Sequence, residues 1–205
     1  MHAVLLLVLS LVIALPLAAQ EQAVAPDTAA ELAARLPKKL LKYIRRAPEA
    51  FIVEVTDEIA TYGGVAGLGP EGIERIIASD RARARSRAVE GLMRADLDND
   101  GAVARAELDN LIAISPEGAR GRVETAWRQA DADGNGLASG AEVKTYADRR
   151  ALKALSDEQA EALRTYTAMD GNGDGHLTVE EVIAAVKLLG TVNLTVSKAK
   201  AKKDI

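Results

Sequence analysis

The chain has 205 residues and a formal net charge of −4, from 26 basic and 30 acidic side chains. That length suits one compact domain or two small lobes, and the acidic balance argues against nucleic acid as a partner. Cysteine is absent, which excludes disulfides, thiolate catalysis, thiolate zinc sites and lipid attachment at a thiol.

The hydrophobic fraction, 48%, is enough for a real core, but only 3% of residues are aromatic. The core must therefore be built from Ala, Leu, Val and Ile. No stretch concentrates the β-branched and aromatic residues that favour strands, so an all-α protein is expected.

Residues 3–15 are apolar except for Ser10, and Pro16 and Leu17-Ala18-Ala19 follow before the polar Gln20-Glu21-Gln22. This reads as a signal peptide over residues 1–19, and it implies an exported protein, periplasmic or secreted. The run is shorter than the roughly 20 apolar residues of a membrane span, and an uncleaved anchor is the competing reading. Residues 20–47 form a linker with a basic amphipathic segment. Asp27 or Thr28 can cap a short helix through Leu36, and Pro37 restarts the chain. Lys38–Arg46 then carries Leu40, Leu41 and Ile44 on one face. That face is expected to pack on the protein, with docking to an anionic membrane as the lesser alternative.

Beyond residue 48 the chain repeats itself. Three twelve-residue segments, 96–107, 131–142 and 170–181, begin at Asp96, Asp131 and Asp170, 35 and then 39 positions apart. Each has Asp or Asn at its first, third and fifth places, Gly at the sixth and Glu at the twelfth. Leu92, Trp127 and Tyr166 each lie four residues before the first Asp. Leu108, Leu111 and Ile112, then Val143, Tyr146 and Ala147, then Val182, Ala185 and Val186, fall at the first, fourth and fifth places after the Glu, which is the spacing of one buried helix face. Counting 35 back from Asp96 finds a degenerate unit at 61–72. It lacks the acids but keeps Leu68 at the eighth place, as Val103 and Leu177 do, and Ile73, Ile76 and Ile77 on the following helix.

These segments resemble EF-hands, and the resemblance covers roughly residues 50 to 190. It implies a helix–loop–helix repeat and calcium as the cofactor, up to three ions. Calcium takes about six to eight oxygens at about 2.3–2.6 Å. The implied ligands are Asp96, Asp98, Asp100, the Ala102 carbonyl and Glu107; Asp131, Asp133, Asn135, the Leu137 carbonyl and Glu142; and Asp170, Asn172, Asp174, the His176 carbonyl and Glu181. The twelfth-place Glu closes the shell with both oxygens, which favours calcium over magnesium. Ser139 and Thr178 stand at the ninth place, often filled through water, while Ala104 can only leave room for one. Arg105 partly offsets the four carboxylates of the first loop.

Chain order suggests two pairs, residues 48–114 (loops 61–72 and 96–107) and 118–190 (loops 131–142 and 170–181), with the junction at Ser115-Pro116-Glu117-Gly118. Ala138 at an eighth place implies weaker anchoring of its loop. Residues 191–205 form a basic tail. The alternating Arg81, Arg83, Arg85 and Arg87 read as a solvated helix surface rather than an anion site. His176 is expected to turn its ring to solvent. No nucleophile–base arrangement accompanies it, so no enzymatic role is expected. The expected function is calcium binding as a buffer or calcium-stabilised module. A sensor exposing an apolar groove, and an interaction module for an exported or envelope protein, are the alternatives.

Overall fold

The computed structural model describes residues 28–201, with side chains through residue 190. The proposed signal peptide and the end of the basic tail lie outside the described residues. The fold is all-α. Its helices are α1 (Ala29–Arg35), α2 (Lys38–Arg46), α3 (Pro48–Tyr62), α4 (Pro70–Met93), α5 (Arg105–Ile114), α6 (Glu117–Ala130), α7 (Gly140–Ala154), α8 (Asp157–Arg164) and α9 (Val179–Ala201), with a 3₁₀ turn at Thr165–Met169. Two short strands, β1 (Val103–Ala104) and β2 (Leu137–Ala138), complete the described elements. No described helix is long and apolar enough to cross a membrane.

Local sequence sets the boundaries. Thr28, Ser139 and Ser156 each close a capping box with an acid or Gln three residues on, satisfying backbone N–H groups that a helix start leaves free. Pro48 and Pro70 sit at the first helical position, where the missing N–H costs nothing. Pro116 ends the short link between α5 and α6.

Two separate cores result. One gathers Leu32, Leu40, Ile44, Phe51 and Val55 with Leu68, Ile73, Tyr166, Leu177 and Leu189. The other gathers Leu92, Val103, Leu108, Trp127, Ala138, Val143 and Tyr146. The helix-face residues that the repeat places before and after the loops fall in or against one of these cores, except Ala147, which is buried outside both.

The pairing of loops differs from the expectation. Val103 pairs with Ala138 and Ala104 with Leu137, so loop 96–107 joins loop 131–142. Leu68 pairs with Leu177, so the degenerate loop joins loop 170–181. The reason is α4. Its 24 residues run unbroken from the degenerate loop to the 96–107 loop. At 1.5 Å per residue such a helix is about 36 Å long, which holds the two loops at opposite ends. The Ser115–Pro116 break instead folds α6 back beside α5 within one lobe, so it is not the junction between lobes. The lobes are joined by α4 and α7, which lie antiparallel. Arg81 meets the Leu155 carbonyl and Asp157, Arg85 meets Asp148, and Gly140 approaches the Gly101 end.

The N-terminal helices are part of the first core. Leu32, Leu36, Leu40 and Ile44 are buried there, and Leu41 packs against it, as the amphipathic reading of Lys38–Arg46 expects. α1 lies on α9 and the 3₁₀ turn, and α2 lies on α3 and α9. The degenerate loop is short, running from Gly63 to Gly69, because Thr61 and Tyr62 belong to α3.

Candidate metal centre

Each acidic loop is bracketed by helices: 96–107 by α4 and α5, 131–142 by α6 and α7, and 170–181 by the 3₁₀ turn and α9. The three share one internal wiring. The first-place Asp accepts from the sixth-place Gly N–H: Asp96 from Gly101 at 3.1 Å, Asp131 from Gly136 at 3.1 Å and Asp170 from Gly175 at 2.8 Å. The third-place oxygen accepts from the fifth N–H: Asp98 from Asp100, Asp133 from Asn135 and Asn172 from Asp174. The fifth-place oxygen accepts from the seventh N–H at 2.8 Å in every loop, that of Ala102, Leu137 or His176. The terminal Glu accepts from the second and ninth N–H groups. Glu107 takes Leu97 and Ala104, Glu142 takes Ala132 and Ser139, and Glu181 takes Gly171 and Thr178.

The backbone explains the sixth-place glycine. Gly101, Gly136 and Gly175 have φ of 83°, 88° and 84°, a left-handed conformation that side chains with a Cβ resist. A second left-handed residue recurs at the fourth place, Asn99, Gly134 and Gly173. The sequence reading did not single it out, although the Asn-or-Gly choice there was the available signal.

In two loops the acids converge. Oxygens of Asp96, Asp98 and Glu107 lie within 4.8 Å of one another, as do those of Asp131, Asp133 and Glu142. The Asp96 Oδ1 is buried and accepts no hydrogen bond. A buried carboxylate oxygen without a donor is costly unless a cation meets it, so this residue set fits a hard divalent ion. Backbone N–H donors from Ala104 and Leu97 hold the Glu107 carboxyl below its ordinary value. The Ser139 hydroxyl, then backbone donors, does the same for Glu142. Both glutamates therefore stay ionised, as a cation ligand must. In the third loop Asn172 takes the place of an acid, and Asp170, Asp174 and Glu181 do not converge to that distance among the described residues.

Three details depart from expectation. The Arg105 guanidinium does not offset the first loop, because it is taken up by Asp109 at 2.9 Å and Glu124 at 2.8 Å and lies 5.3 Å from the Trp127 ring centre. The His176 side chain is 43% exposed, and its ring lies where a Cβ on Gly69 would come within 3.1 Å of it. It therefore covers the degenerate loop rather than pointing freely outward. Ala138 is fully buried and paired despite its size. Beside it the Trp127 indole N–H donates to the Val103 carbonyl at 2.9 Å, tying α6 to β1.

Helix-bracketed loops with converging acids, as at 96–107 and 131–142, are the arrangement of a helix–loop–helix metal site. Residues 167–186, spanning the third loop, match the family model described as EF hand. That match supports the EF-hand family for the chain and, together with the acidic clusters, calcium binding. No curated protein and no solved structure matches the chain.

Proposed function

We propose that the chain binds three calcium ions, one in each of loops 96–107, 131–142 and 170–181, as an exported calcium-stabilised module or buffer. The observation that carries this reading is the hydrogen-bond wiring common to the three loops. It gives 170–181, the segment that matches the family, the same backbone cage as the two loops whose acids converge. In this reading the ligands are Asp96, Asp98, Asp100, Ala102 and Glu107; Asp131, Asp133, Asn135, Leu137 and Glu142; and Asp170, Asn172, Asp174, His176 and Glu181, with Ala102, Leu137 and His176 acting through their carbonyls. The chain acts by holding metal and carries out no catalysis. Export rests on the apolar segment at residues 3–15.

A stabilising use of calcium is favoured over target capture by the lobe that contains loop 170–181. Its own helices α1 and α2 lie on its apolar surface, and Leu32 of α1 borders a cleft with Met169, Asp170 and Glu181. Calcium at that loop then braces the N-terminal helices. Thermal melting with and without calcium, run alongside an apolar-surface dye, tests this. Each filled site adds about 2.7 kcal/mol when calcium stands at a hundred times Kd, so a large upward shift without new dye binding is expected. Dye binding that rises with calcium would favour the sensor reading instead.

A further inference from the structure

The second lobe carries an open concavity on its helical side. It measures about 400 Å³ and lies between α4, α6 and α7. Ala88, Val123, Ala126 and Tyr146 form its apolar floor. At Gly91 an added Cβ would meet nothing within 4 Å, so the cleft is open beside that residue. Four arginines border the cleft, Arg87 and Arg94 from α4, Arg122 from α6 and Arg150 from α7, and no acidic residue lines it. All four are exposed, and none makes an ion pair or side-chain hydrogen bond among the described residues. Their neighbours in the alternating run behave differently. Arg81 is held by Asp157 and the Leu155 carbonyl, Arg83 by Asp80 and Arg85 by Asp148. Tyr146 adds an independent observation: it is only 6% exposed as a residue and it lines the cleft.

We propose that this arginine-rimmed cleft binds an acidic amphipathic peptide segment of a partner protein. Its carboxylates would meet the guanidinium forks of Arg87, Arg94, Arg122 and Arg150, and its apolar side chains would lie on the Ala, Val and Tyr floor. Arginine pairs with carboxylate through two parallel hydrogen bonds, and an uncompensated cationic rim on a chain of net charge −4 selects for the opposite sign. The Tyr146 hydroxyl is a further donor for a carboxylate at the floor. The floor favours a peptide over a bare anion, because an anion leaves the apolar surface uncovered. The chain's own tail, with Lys198, Lys200, Lys202 and Lys203, has the wrong sign to fill the cleft. The cleft is separate from the metal loops, so the proposal does not depend on how many ions they hold.

The test uses the full chain at a fixed millimolar calcium concentration. A fluorescein-labelled synthetic helix of Glu and Leu at helical spacing, its Lys-for-Glu counterpart and phosphatidylserine vesicles are the probes, read by anisotropy and co-sedimentation. The Glu peptide is expected to bind, to weaken as salt rises, and to lose at least about tenfold in affinity in R87E/R122E, whereas R83E on the same helix leaves it unchanged. Y146F, which keeps the floor and removes the hydroxyl, is expected to weaken binding without lowering the melting temperature. Circular dichroism confirms that each variant folds. Equal binding of the Lys peptide, undiminished binding by R87E/R122E, binding to the vesicles alone, or self-association of the chain through this face would overturn the proposal.

Discussion

Leu68 and Leu177 exchange both of their backbone hydrogen bonds, at 2.9 and 3.0 Å, and both side chains are fully buried. One belongs to a loop without acids and the other to a loop that matches the EF-hand family. The pair makes the degenerate loop the structural support of the third acidic loop, although 109 residues separate them in sequence.

Truncating Leu68 should therefore be felt in two places. L68A removes a buried side chain at the centre of the first core and is expected to cost about 2–5 kcal/mol in urea unfolding. It should also weaken calcium binding at loop 170–181, while loops 96–107 and 131–142, which pair with each other, keep their affinity. Site-resolved NMR titration of the glycine amides Gly101, Gly136 and Gly175 separates the three responses.

Trp127 ties β1 to α6 through its bond to the Val103 carbonyl and sits beside the small Ala138. W127F keeps most of the apolar volume but removes the indole donor from the Val103 carbonyl. The expected loss is about 0.5–1.5 kcal/mol, measured by chemical denaturation of the metal-free protein.

Glu58 of α3 gives a pH signature unrelated to the loops. Burial, aided by Glu54 and Asp80, pushes its carboxyl up to about 7 from the ordinary 4.5, and its Oε2 is buried without a partner. Its folded-state value lies above the unfolded one, so the folded protein holds the proton more tightly. Stability is fully present below about 4.5 and is lost as pH rises through about 7. Urea midpoints of the metal-free protein should fall as pH rises from about 4.5 through about 7, and E58Q should flatten that fall. An unchanged slope in E58Q would contradict the assignment.

Much of this architecture was legible in the sequence, and the illegible part has identifiable causes. The twelve-residue spacing named the loops, and the helical period named the faces carried by Leu92, Trp127 and Tyr166, all of which are buried. Counting also found Leu68, because the eighth place must pair its backbone with a partner loop. Register is a local property; the choice of partner is not. Nothing in the 61–72 segment says that its exit helix continues for 24 residues as the entry helix of the next unit, and that continuity decides which loops meet. The same holds for Arg105, whose acidic partners Asp109 and Glu124 are brought together only when α6 folds back on α5. The arginine run shows the limit most clearly. Its spacing scatters the side chains around α4, and only the placement of α6 and α7 separates Arg87 at the cleft from the partnered Arg81 and Arg85.

The central claim is most directly tested by calcium titration calorimetry of the chelator-stripped protein from residue 20 onward, with E107Q, E142Q and E181Q alongside. Three ions per chain are expected for the wild type, and two for each variant, since each change removes the oxygen pair that closes one shell. No heat of binding at millimolar calcium, or a stoichiometry untouched by all three variants, would contradict it.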